Sequence, residues 1–469
     1  MKLKRYISLT LAIFIVLINI FTNAYGVSTD TNEANSTENS NSTETNNKIN
    51  VNSTDFAEPN FTIYSDSAIV IDSKSGKILT GKDINKHVYP ASTTKVLTAI
   101  LAIENCKLDD VLTASYDAVM AIPSGYSNAG ISAGESFTVS DLLDMFLIHS
   151  ANEIGYIFAE HISGSVENFA NLMNQKAQEI GCTNTHFTNP SGIHDPEHYS
   201  SAYDMALIAR YCMKNDTFRN VVSKLSCKIA PTPQYPEERY FKNTNSLMDP
   251  SDRYYYQYAI GIKTGFTSQA KNCLISASSK DGLELIAVAL GAEATEDGRS
   301  GRYVDSINLL EYGNNNYKYE NVLTANTVID EIVVPDATQE TENLQLLLKD
   351  SISSIVPNDF DLNSLQPIIE LNENITAPIA EGAVLGKVTY NINGITYTSD
   401  LVASHNIEKS EILLLVGQIA LAILVLVVLV IILKPKKKNK IYKKNKKSKA
   451  KHSKKNDEYD TIYRFTIDF

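Results

Sequence analysis

Apolar positions fall into short periodic runs separated by polar stretches, and the periods predict the elements. From residue 27 to 55 nearly every position is Ser, Thr, Asn or Glu. A segment that can bury so little reads as a solvated linker, residues 25–56. Order begins near Phe61. "SAIVIDSKSGKILTGKD" (67–83) predicts two strands joined at a Lys-Ser-Gly turn. "STTKVLTAILAIENC" (92–106) carries helical spacing at Val96, Leu97, Ile100, Leu101 and Ile103. "TVSDLLDMFLIHSANE" (138–153) predicts a second helix capped by Ser140. After a polar middle, "YAIGIKTGF" (258–266) runs as a strand into a glycine, and "NCLISASS" and "LELIAVALGA" flank the turn "KDG" as a hairpin. "GRYVDSINLLEYG" (301–313) closes the unit as an amphipathic helix ending at Gly313. Strands at both ends with helices between predict an α+β domain, residues 57–318, built on an antiparallel sheet flanked by helices.

From about Val322 the period changes to alternation, in "VIDEIVVP", "GKVTYNI" and "ITYTSDLVA", with turns at Asn393-Gly394 and Glu381-Gly382. This predicts a small β-rich domain over 319–405; a plain stalk is the alternative. Ile412 to Leu433 is then apolar for 22 residues, broken only by Gln418. The span 411–433 has the length and hydropathy of a transmembrane helix. At the other end, Lys2, Lys4 and Arg5 precede the apolar run Ile7–Phe21 and the small-residue site Thr22-Asn-Ala24. That pattern predicts a signal peptide, 1–24, with an uncleaved anchor as the alternative.

Charge refines the topology. The net charge of −12 hides a tail, 434–469, with 14 Lys/Arg against four acids, about +10, leaving about −22 for everything before it. Lys434, Lys436, Lys437, Lys438 and Lys440 follow the apolar span at once. The positive-inside rule puts this basic tail in the cytoplasm and the body outside the cell. An acidic body argues against nucleic acid as its partner. The tail is most simply a stop-transfer signal that also binds anionic lipid. Five cysteines without tight pairs or metal-type spacing predict buried free thiols. His194 and His198 in "HDPEH" have helical ligand spacing, but Pro196 between them disfavours a helix, and no metal site is expected.

Chemistry enters at "PASTTKVLTA" (90–99), where Ser92 stands three residues before Lys95. A serine hydroxyl is a poor nucleophile without a neighbouring base, and positions three apart on a helix share a face. Lysine serves as that base only when burial or a nearby cation lowers its pKa. Alone, Ser-x-x-Lys is too common to decide, and a helix cap with a surface charge explains it as well. Two further fragments do decide: Ser150-Ala-Asn152 in "HSANEI", 58 residues on, and Lys263-Thr264-Gly265 in "GIKTGFT", 113 residues beyond Ser150. Ser-x-x-Lys, Ser-x-Asn and Lys-Thr-Gly, in that order on helix, loop and strand, are the motifs of the penicillin-recognising serine enzymes.

With these motifs, with "NPSGIHDPEHYSSAYDMALIAR" and with "GRYVDSINLLEYG", the segment from Phe61 to Gly313 resembles the D-alanyl-D-alanine carboxypeptidases, low-molecular-mass penicillin-binding proteins. The resemblance implies a β-lactamase/transpeptidase-like fold and, by motif matching, roles for named residues. Ser92 would be the acylated nucleophile, Lys95 its base and Ser150 a proton relay to the leaving amine. Asn152 would hold the substrate amide, and Lys263 would be the second cation, depressing the Lys95 pKa. Thr264 and Thr267 would hydrogen-bond the substrate. Backbone N–H groups of Ser92 and of Phe266, next to Gly265, would form the oxyanion hole. Arg302 matches the contact to the substrate's terminal carboxylate, with Arg299 three residues away as the competing arginine. Glu153 replaces an expected aspartate and would lie outside the chemistry. The implied partners are peptidoglycan stem peptides ending in D-Ala-D-Ala, β-lactams as covalent inhibitors and the membrane; no metal or organic cofactor is implied. Three alternatives remain. One is a DD-endopeptidase using the same parts. Another is a β-lactamase, disfavoured because no counterpart of its deacylating glutamate loop is evident. The last is a silent wall-binding scaffold, disfavoured by intact motifs.

Overall fold

The computed structural model describes residues 56–433; the expected signal peptide, the expected linker up to residue 55 and the basic tail lie outside the described residues. The first domain is organised by a five-stranded antiparallel sheet in the order β2-β1-β9-β8-β7. Strands β1 (Ser67–Asp72) and β2 (Ile78–Lys82) form the first hairpin. Two small separate ribbons come between β2 and β7 along the chain. These are β3 (Val111–Thr113) with β4 (Ser136–Thr138), and β5 (Ser226–Ile229) with β6 (Arg239–Lys242). Strands β7 (Ala259–Thr267), β8 (Lys271–Lys280) and β9 (Leu283–Ala292) complete the sheet. Asp281 and Gly282 turn β8 into β9 with positive φ at both positions, as a two-residue hairpin requires. β9 pairs with β1 across more than 200 residues, so the chain's two ends close one sheet around the helices between them.

β9 reads as a nearly continuous apolar run because it is covered on both faces. The helix Gly301–Asn316 packs on β8 and β9 with Leu309, Leu310 and Tyr303 among Leu285, Ala287 and Val70. The helix Ala202–Met213 covers the opposite side, against β1 and β9, and rests on the helix Lys95–Asn105. Gly313 does not end its helix, which continues to Asn316. A Cβ there would come within 2.4 Å of Leu285 Cδ1, so the glycine lets the helix approach the sheet. The helix Val139–Asp144 is capped by Thr138, whose Oγ1 accepts from Asp141 N, and not by Ser140. The helix therefore starts two residues earlier than the apolar spacing suggested, with Ser140 inside its first turn.

The chain then crosses directly into β10 (Tyr317–Leu323). The β-rich part adds β11 (Val328–Val333), β12 (Asn343–Leu348), β13 (Ile352–Pro357), β14 (Ile368–Leu371), β15 (Val384–Ile392) and β16 (Ile395–Ala403). Its five-stranded sheet runs β11-β12-β16-β15-β14, beside the pair β10–β13. Alternate residues such as Leu344, Leu346, Leu348, Val388, Tyr390 and Ile392 point into one apolar core. Ile355 and Ile395 instead join the cluster of Leu79 and Leu283 in the first domain, so the two domains share packed surface. All five cysteines are free thiols, three of them buried. A helix spans Ile412–Leu433; its stretch Leu414–Leu433, mean hydropathy 3.2 and unburied, is long and apolar enough to cross a membrane.

Candidate active site

Three segments converge at the edge strand β7. The first is a single 3-10 turn, Ala91–Thr94, that runs into the helix beginning at Lys95. A 3-10 turn eclipses positions i and i+3, which sets Lys95 directly beside Ser92. Lys95 Nζ lies 2.9 Å from Ser92 Oγ. Ala91 enters the turn at φ 48, a left-handed conformation that a non-glycine residue adopts at a cost. Gly265 in β7 backs onto this turn: a Cβ there would stand 3.0 Å from Ser92 N and 3.2 Å from Ala91 Cβ. Glycine at 265 is thus what lets the Ser92 N–H lie against the strand that carries Phe266.

The second segment is a π-helical turn, Met145–His149, that stops at Ser150 in left-handed conformation, φ 69. Irregular turns of this kind concentrate at functional sites because they re-aim a side chain. Asn152 follows, and its Oδ1 accepts from Lys95 Nζ at 2.7 Å while its Nδ2 donates to Ser127 O at 2.7 Å. Asn152, expected as a holder of substrate, therefore serves Lys95 first in the free protein. The third segment, β7, carries Lys263, 1% exposed, whose Nζ donates to the Thr264 carbonyl oxygen at 2.9 Å.

Lys95 is fully buried, and its third partner is the Ser191 carbonyl oxygen at 2.8 Å. Two of its partners can only accept; Ser92 can also donate. An ammonium meets all three by donating to each, and a neutral amine meets them by donating to Asn152 and Ser191 while its lone pair accepts a hydrogen bond from the Ser92 hydroxyl. Burial first, and then the charge of Lys263, hold its pKa well below the usual lysine value. Lys263 is itself lowered to about 7, by burial and then by Arg302. A lysine of lowered pKa thus stands within hydrogen-bond distance of the Ser92 hydroxyl.

Arg302 starts the helix Gly301–Asn316 and donates from Nη1 to the Gly265 carbonyl oxygen at 3.2 Å. Its Nε is buried and has no hydrogen-bond partner among the described residues. Arg299 turns away, pairing with Asp297 at 2.7 Å on the surface. Phe266 is 62% exposed, on the wall of the site. Thr264 Oγ1 lies 2.7 Å from Thr244 Oγ1, and Thr267 Oγ1 accepts from Ala270 N at 2.9 Å, closing the turn into β8. Both hydroxyls, expected at the substrate, have partners within the protein.

Several contributors were invisible in the motifs. Glu153, expected outside the chemistry, is 2% exposed, and its Oε1 accepts from Ala129 N at 2.6 Å. Burial raises its pKa, and its charge acts on Lys95. Ser127, whose carbonyl holds Asn152, sits on a segment that Glu135 ties to β6 through a buried pair with Arg239 at 2.8 Å. Ser191 contributes only a backbone oxygen, so no side-chain signal marks it. His198 does not ligate a metal with His194; it bonds to Thr94 Oγ1 at 2.8 Å. Among the described residues no group of His, Cys, Asp or Glu could hold a metal ion.

Comparison with known proteins gives the same picture. Residues 51–294 match the family described as D-alanyl-D-alanine carboxypeptidase, and residues 317–409 match the penicillin-binding protein 5 C-terminal domain. The D-alanyl-D-alanine carboxypeptidase DacF of Bacillus subtilis is 30% identical over 351 residues, 73% of this chain and 86% of that protein. DacA of Haemophilus influenzae is 29% identical, covering 71% of this chain and 82% of its own length. Among solved structures, penicillin binding protein 5 of Haemophilus influenzae superposes with a TM-score of 0.58 at 28% identity, over 74% of this chain and 99% of that one.

Proposed function

The chain belongs to the D-alanyl-D-alanine carboxypeptidase family and is a serine-type D-Ala-D-Ala carboxypeptidase, and we propose that Ser92 is its nucleophile and Lys95 its base. One observation carries the assignment: a fully buried lysine with no carboxylate in ion-pair contact among the described residues, its pKa held well down by burial and then by Lys263, stands 2.9 Å from Ser92 Oγ. Ser92 Oγ attacks the carbonyl carbon of the penultimate D-alanine as its proton passes to Lys95 Nζ. Negative charge develops on the carbonyl oxygen, facing the backbone N–H groups of Ser92 and Phe266. Such preorganised donors typically contribute about 3–4 kcal/mol. The proton reaches the leaving amine through the Ser150 hydroxyl, which makes no hydrogen bond among the described residues. The C–N bond breaks, D-alanine departs, and water hydrolyses the ester on Ser92 with Lys95 again taking the proton.

Substrate binding follows from charge. The terminal carboxylate meets Arg302 and Lys263, and the stem peptide lies along the free edge of β7 beside Thr264, Gly265 and Thr267. Asn152 keeps one amide hydrogen for the substrate after serving Lys95 and Ser127. We assign peptidoglycan stem peptides ending in D-Ala-D-Ala as substrates and β-lactams as slow acylating inhibitors. The helix at 412–433 and the lysines after it support a membrane anchor with the catalytic domain outside the cell. The direct assay is D-alanine release from a D-Ala-D-Ala stem peptide, run beside a cross-linked dimer. Release from the monomeric peptide with the dimer intact is expected; cleavage of the dimer alone would make the enzyme an endopeptidase.

A further inference from the structure

The imidazole of His198 is 2% exposed, deep behind the nucleophile's turn. Its Nδ1 faces the Thr188 backbone N–H at 3.1 Å, a group that can only donate. Nδ1 is therefore the acceptor and Nε2 carries the proton. That N–H points at Thr94 Oγ1, 2.8 Å away and one residue before Lys95. Burial holds the pKa of His198 down to about 3, so the ring is a fixed neutral donor at working pH.

The segment that His198 grips is the one that supplies the Ser191 carbonyl. Asn189 Oδ1 accepts from the backbone N–H groups of Ser191, Gly192 and Ile193 at 3.2, 2.8 and 3.1 Å. Pro190 O accepts from Thr98 Oγ1 at 2.7 Å. Gly192, at φ 79, passes so close that a Cβ would stand 1.8 Å from Ala91 O and 2.9 Å from Thr94 Oγ1. Residues 188–198 thus wrap the turn that bears Ser92, and one imidazole joins the start of the wrap to the turn itself.

We propose that His198 is a positioning residue, clamping residues 188–193 onto the Ser92 turn through Thr94 so that the Ser191 carbonyl oxygen stays on Lys95 Nζ. The proposal rests on Lys95 being the base. His198 touches neither substrate nor reacting atom; it acts by keeping the Lys95 amine pointed at Ser92 and sealed from water. A misplacement of about 1 Å in such a site can lower the rate about 100-fold.

The test is stopped-flow acylation of the full chain in detergent by a fluorescent penicillin, across pH, for wild type, His198→Ala, His198→Gln, Thr94→Val and the His198→Ala/Thr94→Val pair. Gln places an N–H where Nε2 stood; Val removes the acceptor hydroxyl while keeping its shape. His198→Ala and Thr94→Val are expected to slow acylation about 10- to 100-fold with the noncovalent penicillin Kd within about twofold. The acid limb should move to higher pH, because water admitted beside Lys95 removes the burial that keeps it neutral. The pair should be no slower than the slower single variant, and Gln should recover most of the rate. Wild-type acylation by His198→Ala or Thr94→Val overturns the clamp, as does a folded Gln variant as slow as Ala. Should His198→Ala fail to fold, Thr94→Val and His198→Gln decide alone. Failure of wild type itself to acylate would instead remove the Ser92–Lys95 reading beneath it.

Discussion

The two folded domains bury very different things. From Tyr317 to Lys409 the described chain buries two polar side chains, Ser354 and Ser399, inside a core of Leu, Val and Ile. The preceding domain buries Lys95, Lys263, Glu135, Glu153, His198, Asp204, Arg239 and Asp305. Burying a charge is expensive unless it is paired, and Lys95 and Lys263 have no carboxylate partner within ion-pair distance among the described residues. The β-rich domain is built as a stability problem solved by alternation; the peptidase domain gives up stability around Ser92 to hold a lysine's pKa down. Two left-handed residues, Ala91 and Ser150, mark the same expenditure in the backbone.

Lys95→Met should break the contrast most sharply. Acylation by penicillin is expected to fall by about 1,000-fold or more, the scale on which members of a catalytic unit fail singly. The variant should also reverse a stability deficit. The folded pKa of Lys95 lies below its unfolded value, so between those values the unfolded chain binds the extra proton and stability rises with pH. The gain of Lys95→Met over wild type in thermal unfolding should therefore shrink as pH rises from 7 toward 10. A gain that does not change with pH would show that the amine is not held neutral.

Arg302→Gln sharpens the electrostatic half. Arg302 is the charge that, after burial, lowers Lys263 to about 7. Its removal should raise the Lys263 pKa and carry the alkaline limb of acylation to higher pH. For the peptide substrate kcat/KM should also drop by about 10- to 100-fold, since a charge-assisted hydrogen bond is worth about 1.5–3 kcal/mol. An unmoved alkaline limb would separate Arg302 from Lys263.

In the β-rich domain a comparable insult should leave catalysis alone. Leu346→Ala removes a fully buried side chain and should cost about 2–5 kcal/mol in urea unfolding. Penicillin acylation at 20 °C should stay within about twofold of wild type. A parallel loss of acylation would mean that the shared surface at Ile355 and Ile395 transmits disorder to the site.

The same contrast explains what could be read from the residues alone. Periodicity marked both domains because burial of apolar faces is repetitive: β1–β2, β8–β9 and the β15–β16 hairpin at Asn393-Gly394 stood out. Local exceptions did not. Gly313 looked like a helix end and is a packing site against Leu285, while Ser140 looked like a cap that Thr138 supplies. At the site, spacing reached Ser92, Lys95, Ser150, Asn152 and Lys263, whose side chains carry the motifs. It could not reach Ser191 and Ser127, which act through carbonyl oxygens that any residue has. It also gave no sign that Glu153 is buried close enough to act on Lys95, or that Thr264 and Thr267 have partners inside the protein, because tertiary neighbours leave no mark on a short motif.

The central claim is a covalent one, so the most direct measurement is intact mass spectrometry of the full chain in detergent after incubation with penicillin, wild type beside Ser92→Ala. One penicillin added to the wild type and none to Ser92→Ala is the expected result. An adduct that persists on Ser92→Ala, or a wild type left unmodified with penicillin intact, would contradict the account.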